Sequence, residues 1–230
     1  MVVSIFVNPT QFNEKEDYQN YPRHLETDLA MLEKSGCDIA FVPEYAEVYP
    51  APDDTIYDFG QLEKLWEGQH RPGHFRGVGM VVRRFFEIVR PHKAFFGLKD
   101  YQQLMIIKQL QKQFNLETEI VDVPTVREHD GLAMSSRNQL LSDEQRRAAP
   151  LIHATLVHAK QMQPDHAPQE IISDVTATIN NHPGMQLEYF EIVDEQELMP
   201  VLTWEKPVNK VGCIAVHLGE IRLIDNIYFD

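Results

Sequence analysis

At 230 residues the chain has room for one large domain or two modest ones, with a sizeable core in either case. Its 43% hydrophobic and 24% charged residues exclude a disordered chain, and a formal net charge of −14 excludes nonspecific nucleic-acid binding as its main business. Cys37 and Cys213 lie far apart without Cys-x-x-Cys spacing, which excludes a disulfide framework and a zinc cluster.

The apolar runs fall well short of the roughly 20 residues that a membrane helix needs, so a cytoplasmic protein without a membrane partner is expected. The β-branched run at residues 2–7, ended by Asn8-Pro9, predicts a buried parallel strand feeding a loop. Leu25, Leu29 and Leu32 follow helical spacing, Gly36 suits the cap, and residues 39–42 read as a second strand, which completes a βαβ unit. After a Pro- and Asp-rich excursion, Val78, Val81, Val82, Phe85, Phe86 and Val89 predict a helix stopped by Pro91. A short strand at 94–97, a helix through Leu104, Ile107 and Leu110, and a strand at 119–123 follow. Alternating strands and helices predict an α/β fold with a doubly wound parallel sheet, ligands gathering at the carboxyl ends of its strands.

Beyond Pro124 the pattern changes. Ser142-x-x-Gln145 reads as a capping box opening a long helix, and a second helix runs from Pro168 toward His182. Short strands at 187–193, 211–216 and 221–224, the last two joined by a tight turn at Gly219, predict a smaller α+β domain. The expected division is 1–124 and 125–230.

Neither a P-loop nor a complete Gly-x-Gly-x-x-Gly fingerprint is present. Phe96-Gly97-Leu98-Lys99-Asp100 lies where a strand ends and a helix begins, combining a glycine, free helix N–H groups and a lysine charge suited to a polyphosphate. The competing reading is a solvated turn with Asp100 as the helix cap. The loop 128–138 gathers Ser135, Ser136 and Arg137, two hydroxyls and a guanidinium able to grip a leaving pyrophosphate, against the alternative of a turn with an exposed arginine. Arg71-Pro72-Gly73-His74-Phe75-Arg76-Gly77 reads as a tight loop before a helix, suited either to anion contact or to packing. His70 and His74 are four apart, but Pro72 and Gly73 between them argue against a metal pair, and no metal site is expected. Asn8-Pro9-Thr10-Gln11-Phe12 follows the first strand at its carboxyl end, where amides read hydroxyls or carboxylates.

Taken in order, the segments 6–12, 71–78, 96–104 and 130–138, with Leu223-Ile224-Asp225-Asn226 near the end, closely resemble the pantothenate synthetase family, and the resemblance covers essentially the whole chain. It implies a Rossmann-like fold related to class I aminoacyl-tRNA synthetases and a homodimer. It also implies condensation of pantoate with β-alanine, with ATP and Mg²⁺, through a pantoyl adenylate that releases AMP and pyrophosphate. Carried over by position, Gly97, Leu98, Lys99, Asp100, Val126, Met134, Ser135, Ser136 and Arg137 contact ATP, with Lys99 and Arg137 as the catalytic charges. Gln11 and Gln103 hold pantoate, and Gln11 also lies near β-alanine. Leu98 stands where the family commonly has Glu. The family's His-x-Gly-His signature does not occur in this sequence, so reduced or absent activity of these 230 residues is expected. Two alternatives accompany this reading: a catalytically impaired nucleotide-binding fragment, or a related nucleotidyltransferase.

Overall fold

The computed structural model describes residues 1–12, 15–163, 165–205 and 208–229. Contacts divide the chain into two compact units, Met1–Phe96 with Gln102–Val121, and Gly97–Tyr101 with Asp122–Asp230.

The first unit is built from β1 (Val2–Ser4), α1 (Lys15–Asn20), α2 (Leu25–Lys34), β2 (Ile39–Phe41), α3 (Tyr45–Val48), α4 (Trp66–His70), α5 (His74–Val89), β3 (Lys93–Gly97), α6 (Tyr101–Gln113) and β4 (Glu119–Val123), the last residues of β3 and β4 and the first of α6 belonging to the second unit. β1 and β2 pair in parallel, Val3 opposite Ala40, and β3 pairs with β4, so the parallel sheet expected from sequence is present as two short two-stranded pieces. The first strand is three residues long, not six, matching the three-residue β2 it pairs with, and it is mostly exposed where a buried strand is expected. The core is the apolar stripe of α5, with Phe75, Val78, Val82 and Phe86 at helical spacing, packed with Ile106, Ile107 and Leu110 of α6.

α5 begins at His74, earlier than the spacing of its valines suggests. Gly73 at φ +82° reverses the chain just before it, so His74–Gly77 is helix and not the tight loop read from sequence.

The second unit contains α7 (Asp143–Ala148), α8 (Leu151–Met162), α9 (Pro168–Asn180), β5 (Met185–Asp194), β6 (Lys210–Leu218) and β7 (Ile221–Phe229). Strand order is β5-β6-β7, antiparallel throughout, with Leu218 paired to Ile221 across a two-residue turn whose Gly219 sits at φ +61°. Ile152 and Leu156 of α8 and Ile171, Val175 and Ile179 of α9, spaced by four, pack on Phe190, Ile192, Ile214, Val216 and Leu223 of the sheet.

The capping box at Ser142 forms: Ser142 Oγ accepts from Gln145 N at 3.3 Å and Gln145 Oε1 accepts from Ser142 N at 2.8 Å. The single long helix expected after it is two helices, α7 and α8, separated at Pro150, which has no N–H to continue the ladder.

Among the described residues no helix is long and apolar enough to cross a membrane.

Candidate functional site

In the first unit, the loop after β1 is held against the start of α5 by buried polar groups. Asn8, fully buried, donates from Nδ2 to Gly77 O at 3.0 Å, and its Oδ1 accepts from Thr10 N, Thr10 Oγ1 and Tyr49 OH at 3.3, 3.0 and 3.1 Å. A Cβ on Gly77 would collide with the Thr10 carbonyl, so only glycine lets the loop lie this close to the helix. His74 Nδ1 lies 2.7 Å from the Gln11 carbonyl, which only accepts; Nδ1 therefore carries the proton, and Nε2, 3.3 Å from Arg71 Nη1, accepts. Of the two sequence readings for 71–77, the packing role is the one with visible partners: Arg71 and His74 secure the backbone of Gln11. The Gln11 side-chain amide makes no hydrogen bond among the described residues, which leaves it available to a ligand.

Two adjacent glutamines on α6 differ in the same way. Gln102, 4% exposed, accepts from Glu67 N at 3.1 Å and donates to Leu62 O and Leu65 O at 2.6 and 2.8 Å, tying the irregular 62–67 stretch to α6. Gln103 is half-buried, and its side-chain amide has no hydrogen bond among the described residues.

In the second unit, the nucleotide candidates fall into two segments that both pack against β7: the 3₁₀ turns Leu98–Asp100 and Ser136–Leu140. Gly97 adopts φ −70°, and a Cβ there would meet nothing within 4 Å, so no intramolecular contact demands the glycine. Lys99 Nζ is 3.8 Å from Asp100 Oδ2, too long for a hydrogen bond, and its side chain is 19% exposed. Tyr101, at the end of this segment, donates to Glu195 O at 3.1 Å and meets Tyr228 edge-on; burial pushes its phenol well above the ordinary value. Asn226 of β7 donates from Nδ2 to both Leu98 O and Lys99 O, at 2.8 and 3.0 Å.

The second segment begins as a short hairpin. Arg127 bridges Ala133, Met134 N donates to Val126 O at 2.9 Å, and Gly131 at φ +90° makes the turn. Val126 and Met134, 62% and 51% exposed, are thereby set side by side as an apolar surface open to solvent. Arg127 grips Asp225 with both terminal nitrogens, at 2.7 and 2.9 Å, and also donates to Gly131 O at 3.0 Å. Arg146 donates to Asp130 at 2.6 Å and holds that carboxyl below its usual range. Beyond the hairpin, Ser135 Oγ accepts from Arg137 N at 3.2 Å and caps the turn that carries Ser136 and Arg137.

Chemically, the second unit presents a lysine, an arginine, two hydroxyls and an exposed apolar pair, a set suited to a nucleotide's phosphates and base. Sequence reasoning missed Asp225 and Asn226 as supports. The available signal was two adjacent polar residues interrupting an otherwise apolar strand. Among the described residues, no group of three or more His, Cys, Asp or Glu is arranged to hold a metal ion.

A sequence profile of the family described as pantoate-beta-alanine ligase matches residues 1–228. The pantothenate synthetase of Porphyromonas gingivalis is 46% identical over 229 residues, a match that spans 100% of this chain and 82% of that protein. The crystal structure of pantothenate synthetase from Thermus thermophilus superposes with a TM-score of 0.91 at 41% identity, covering 98% of this chain and 82% of that one. The crystal structure of pantoate-beta-alanine ligase from Francisella tularensis, complexed with beta-gamma ATP and beta-alanine, gives a TM-score of 0.78 at 35% identity, covering 98% and 78%.

Proposed function

The chain belongs to the pantoate-beta-alanine ligase family and is an enzyme that joins pantoate to β-alanine, and we propose that it does so in two steps through a pantoyl adenylate. In the first, a pantoate carboxylate oxygen attacks the α-phosphorus of ATP, and the bond to the β-phosphate breaks to release pyrophosphate. In the second, the amine of β-alanine attacks the activated carbonyl, loses a proton, and displaces AMP as the amide forms. The observation that supports this reading is the convergence on β7 of the Lys99 turn and the Ser135-Ser136-Arg137 turn.

Lys99 and Arg137 neutralise the charge that shifts toward the departing pyrophosphate, with Ser135 and Ser136 steadying its oxygens. Gly97, Leu98 and Asp100 lie along the phosphates, and Val126 and Met134 flank the base. Gln11 and Gln103, whose amides have no hydrogen bond among the described residues, read pantoate, and Gln11 also meets β-alanine. Mg²⁺ would accompany the nucleotide and supply positive charge to its phosphates beside Lys99 and Arg137.

On the same reading, residues 1–124 form a Rossmann-like nucleotide- and pantoate-binding domain and 125–230 a smaller domain, in a cytoplasmic homodimer. The proposal also ties turnover to the family's His-x-Gly-His signature, which these 230 residues do not contain. Comparing their turnover with that of a chain carrying the signature tests that dependence.

The reaction is tested by incubating the enzyme with ATP and pantoate alone. Pantoate-dependent release of pyrophosphate is expected; release of ADP and phosphate instead overturns the adenylate.

A further inference from the structure

We propose that Asn226 is a positioning residue for the nucleotide chemistry, fixing the backbone from which Lys99 projects, and that Asp225 beside it does the same for the 126–134 hairpin through Arg127. This rests on the reading that Lys99 meets ATP phosphate.

The sequence of β7 states the anomaly. Leu223, Ile224, Ile227 and Phe229 make an apolar edge strand, yet its middle carries Asp225 and Asn226, 4% and 6% exposed. A buried amide or carboxylate is unfavourable unless fully bonded, so side chains that only had to fill this space would be apolar. Both are instead spent on segments remote in sequence. The two N–H bonds of the Asn226 amide go to the carbonyls of consecutive residues, Leu98 and Lys99. Fixing two successive carbonyls fixes the peptide plane between them, and with it the direction in which the Lys99 side chain leaves the turn.

Asp225 works on the second segment. Arg127 binds its carboxylate in a two-pronged pair and simultaneously holds the Gly131 carbonyl at the hairpin tip. Successive side chains of a strand point to opposite faces, which is how two neighbouring residues reach two separate segments. Among the described residues β7 pairs only with β6, so its outer edge is open to receive these turns.

The test is a double-mutant cycle between Asn226 and Lys99 in a chain carrying the His-x-Gly-His signature. Asn226→Ala removes the amide, and Asn226→Leu removes it while keeping the volume. Each is expected to lower the rate of pantoate-dependent pyrophosphate release roughly a hundredfold, the scale of a catalytic group displaced by about 1 Å. The pantoate requirement is expected to stay unchanged. In a Lys99→Ala background the same substitutions should cost no more than about twofold, since the group they aim is already gone. Losses that multiply in the double mutant, although Lys99→Ala alone is impaired, overturn the positioning role and leave the Lys99 reading intact. A Lys99→Ala enzyme as fast as the wild type overturns the Lys99 reading, and the proposal with it. Thermal unfolding of each variant completes the test: a failure to fold in both Asn226 variants would make the residue a structural one and end the proposal.

Discussion

The carbonyl oxygen of Thr10 occupies the place where a side chain on Gly77 would begin. Gly77→Ala must therefore displace the loop that carries Gln11, or lift it from α5 altogether. We expect a stability loss of about 1–3 kcal/mol, typical of overpacking. We also expect a raised pantoate requirement with nucleotide binding nearly unaltered. Thermal unfolding together with separate pantoate and ATP titrations checks this, and an alanine variant indistinguishable from wild type in all three would refute the close-packed loop.

Gln102 and Gln103 should separate cleanly. Gln102→Ala takes the amide partner from the Leu62 carbonyl and removes the bonds to Leu65 O and Glu67 N, at about 1–3 kcal/mol for a group left fully unsatisfied, and should lower the unfolding midpoint. Gln103→Ala should leave the midpoint alone and raise the pantoate KM, as should Gln11→Ala. The reverse assignment, with Gln103 carrying stability and Gln102 carrying substrate affinity, is what would sink this division.

Lys99→Ala should slow adenylate formation about a hundredfold, close to 3 kcal/mol of lost charge stabilisation, while pantoate affinity holds. Rapid-quench measurement of pyrophosphate release separates the chemical step from binding. An unchanged burst rate would remove Lys99 from the chemistry.

His153 supplies a pH prediction. Burial, reinforced by the Arg127 charge, lowers its affinity for a proton, and Asp225 at 3.7 Å opposes this only in part. Its folded-state value therefore lies below the unfolded one of about 6.5. Below that pH the unfolded chain takes up the proton more readily, so stability is lost as the pH falls from about 6.5 toward the folded-state value. His153→Gln should show a smaller drop in unfolding midpoint between about pH 7 and 5.5 than the wild type. An identical drop in the two proteins would show that the His153 environment does not couple to folding.

Local signals carried most of the fold. The strand at 119–123 and the capping box at Ser142 depend on neighbours within a few residues, and both appear as the pattern implies. The start of α5 did not, because Pro72 and the glycines at 73 and 77 read as a loop, whereas Gly73 turns the chain into a helix at His74 and Gly77 answers to the Thr10 carbonyl, 67 positions earlier in the chain. The candidate site divides along the same line. Lys99, Ser135, Ser136 and Arg137 were legible as chemistry-bearing types at element ends. What aims them was not, since Asn226 and Asp225 act on residues more than 90 positions away and a single sequence holds no trace of such pairings. Gln102 and Gln103 are chemically identical, and the carbonyls of Leu62 and Leu65 and the N–H of Glu67 distinguish the structural one from the free one.

The most direct measurement of the central claim uses pantoate labelled with ¹⁸O in its carboxylate, together with ATP, β-alanine and the enzyme, with the AMP product read by mass spectrometry. Attack of the carboxylate on the α-phosphorus leaves one pantoate oxygen bridging to phosphorus, and displacement by the amine at the carbonyl hands that oxygen to AMP. One ¹⁸O per AMP, formed in step with pantothenate, is the predicted result. AMP free of label, or pantothenate formed alongside ADP, would contradict the account.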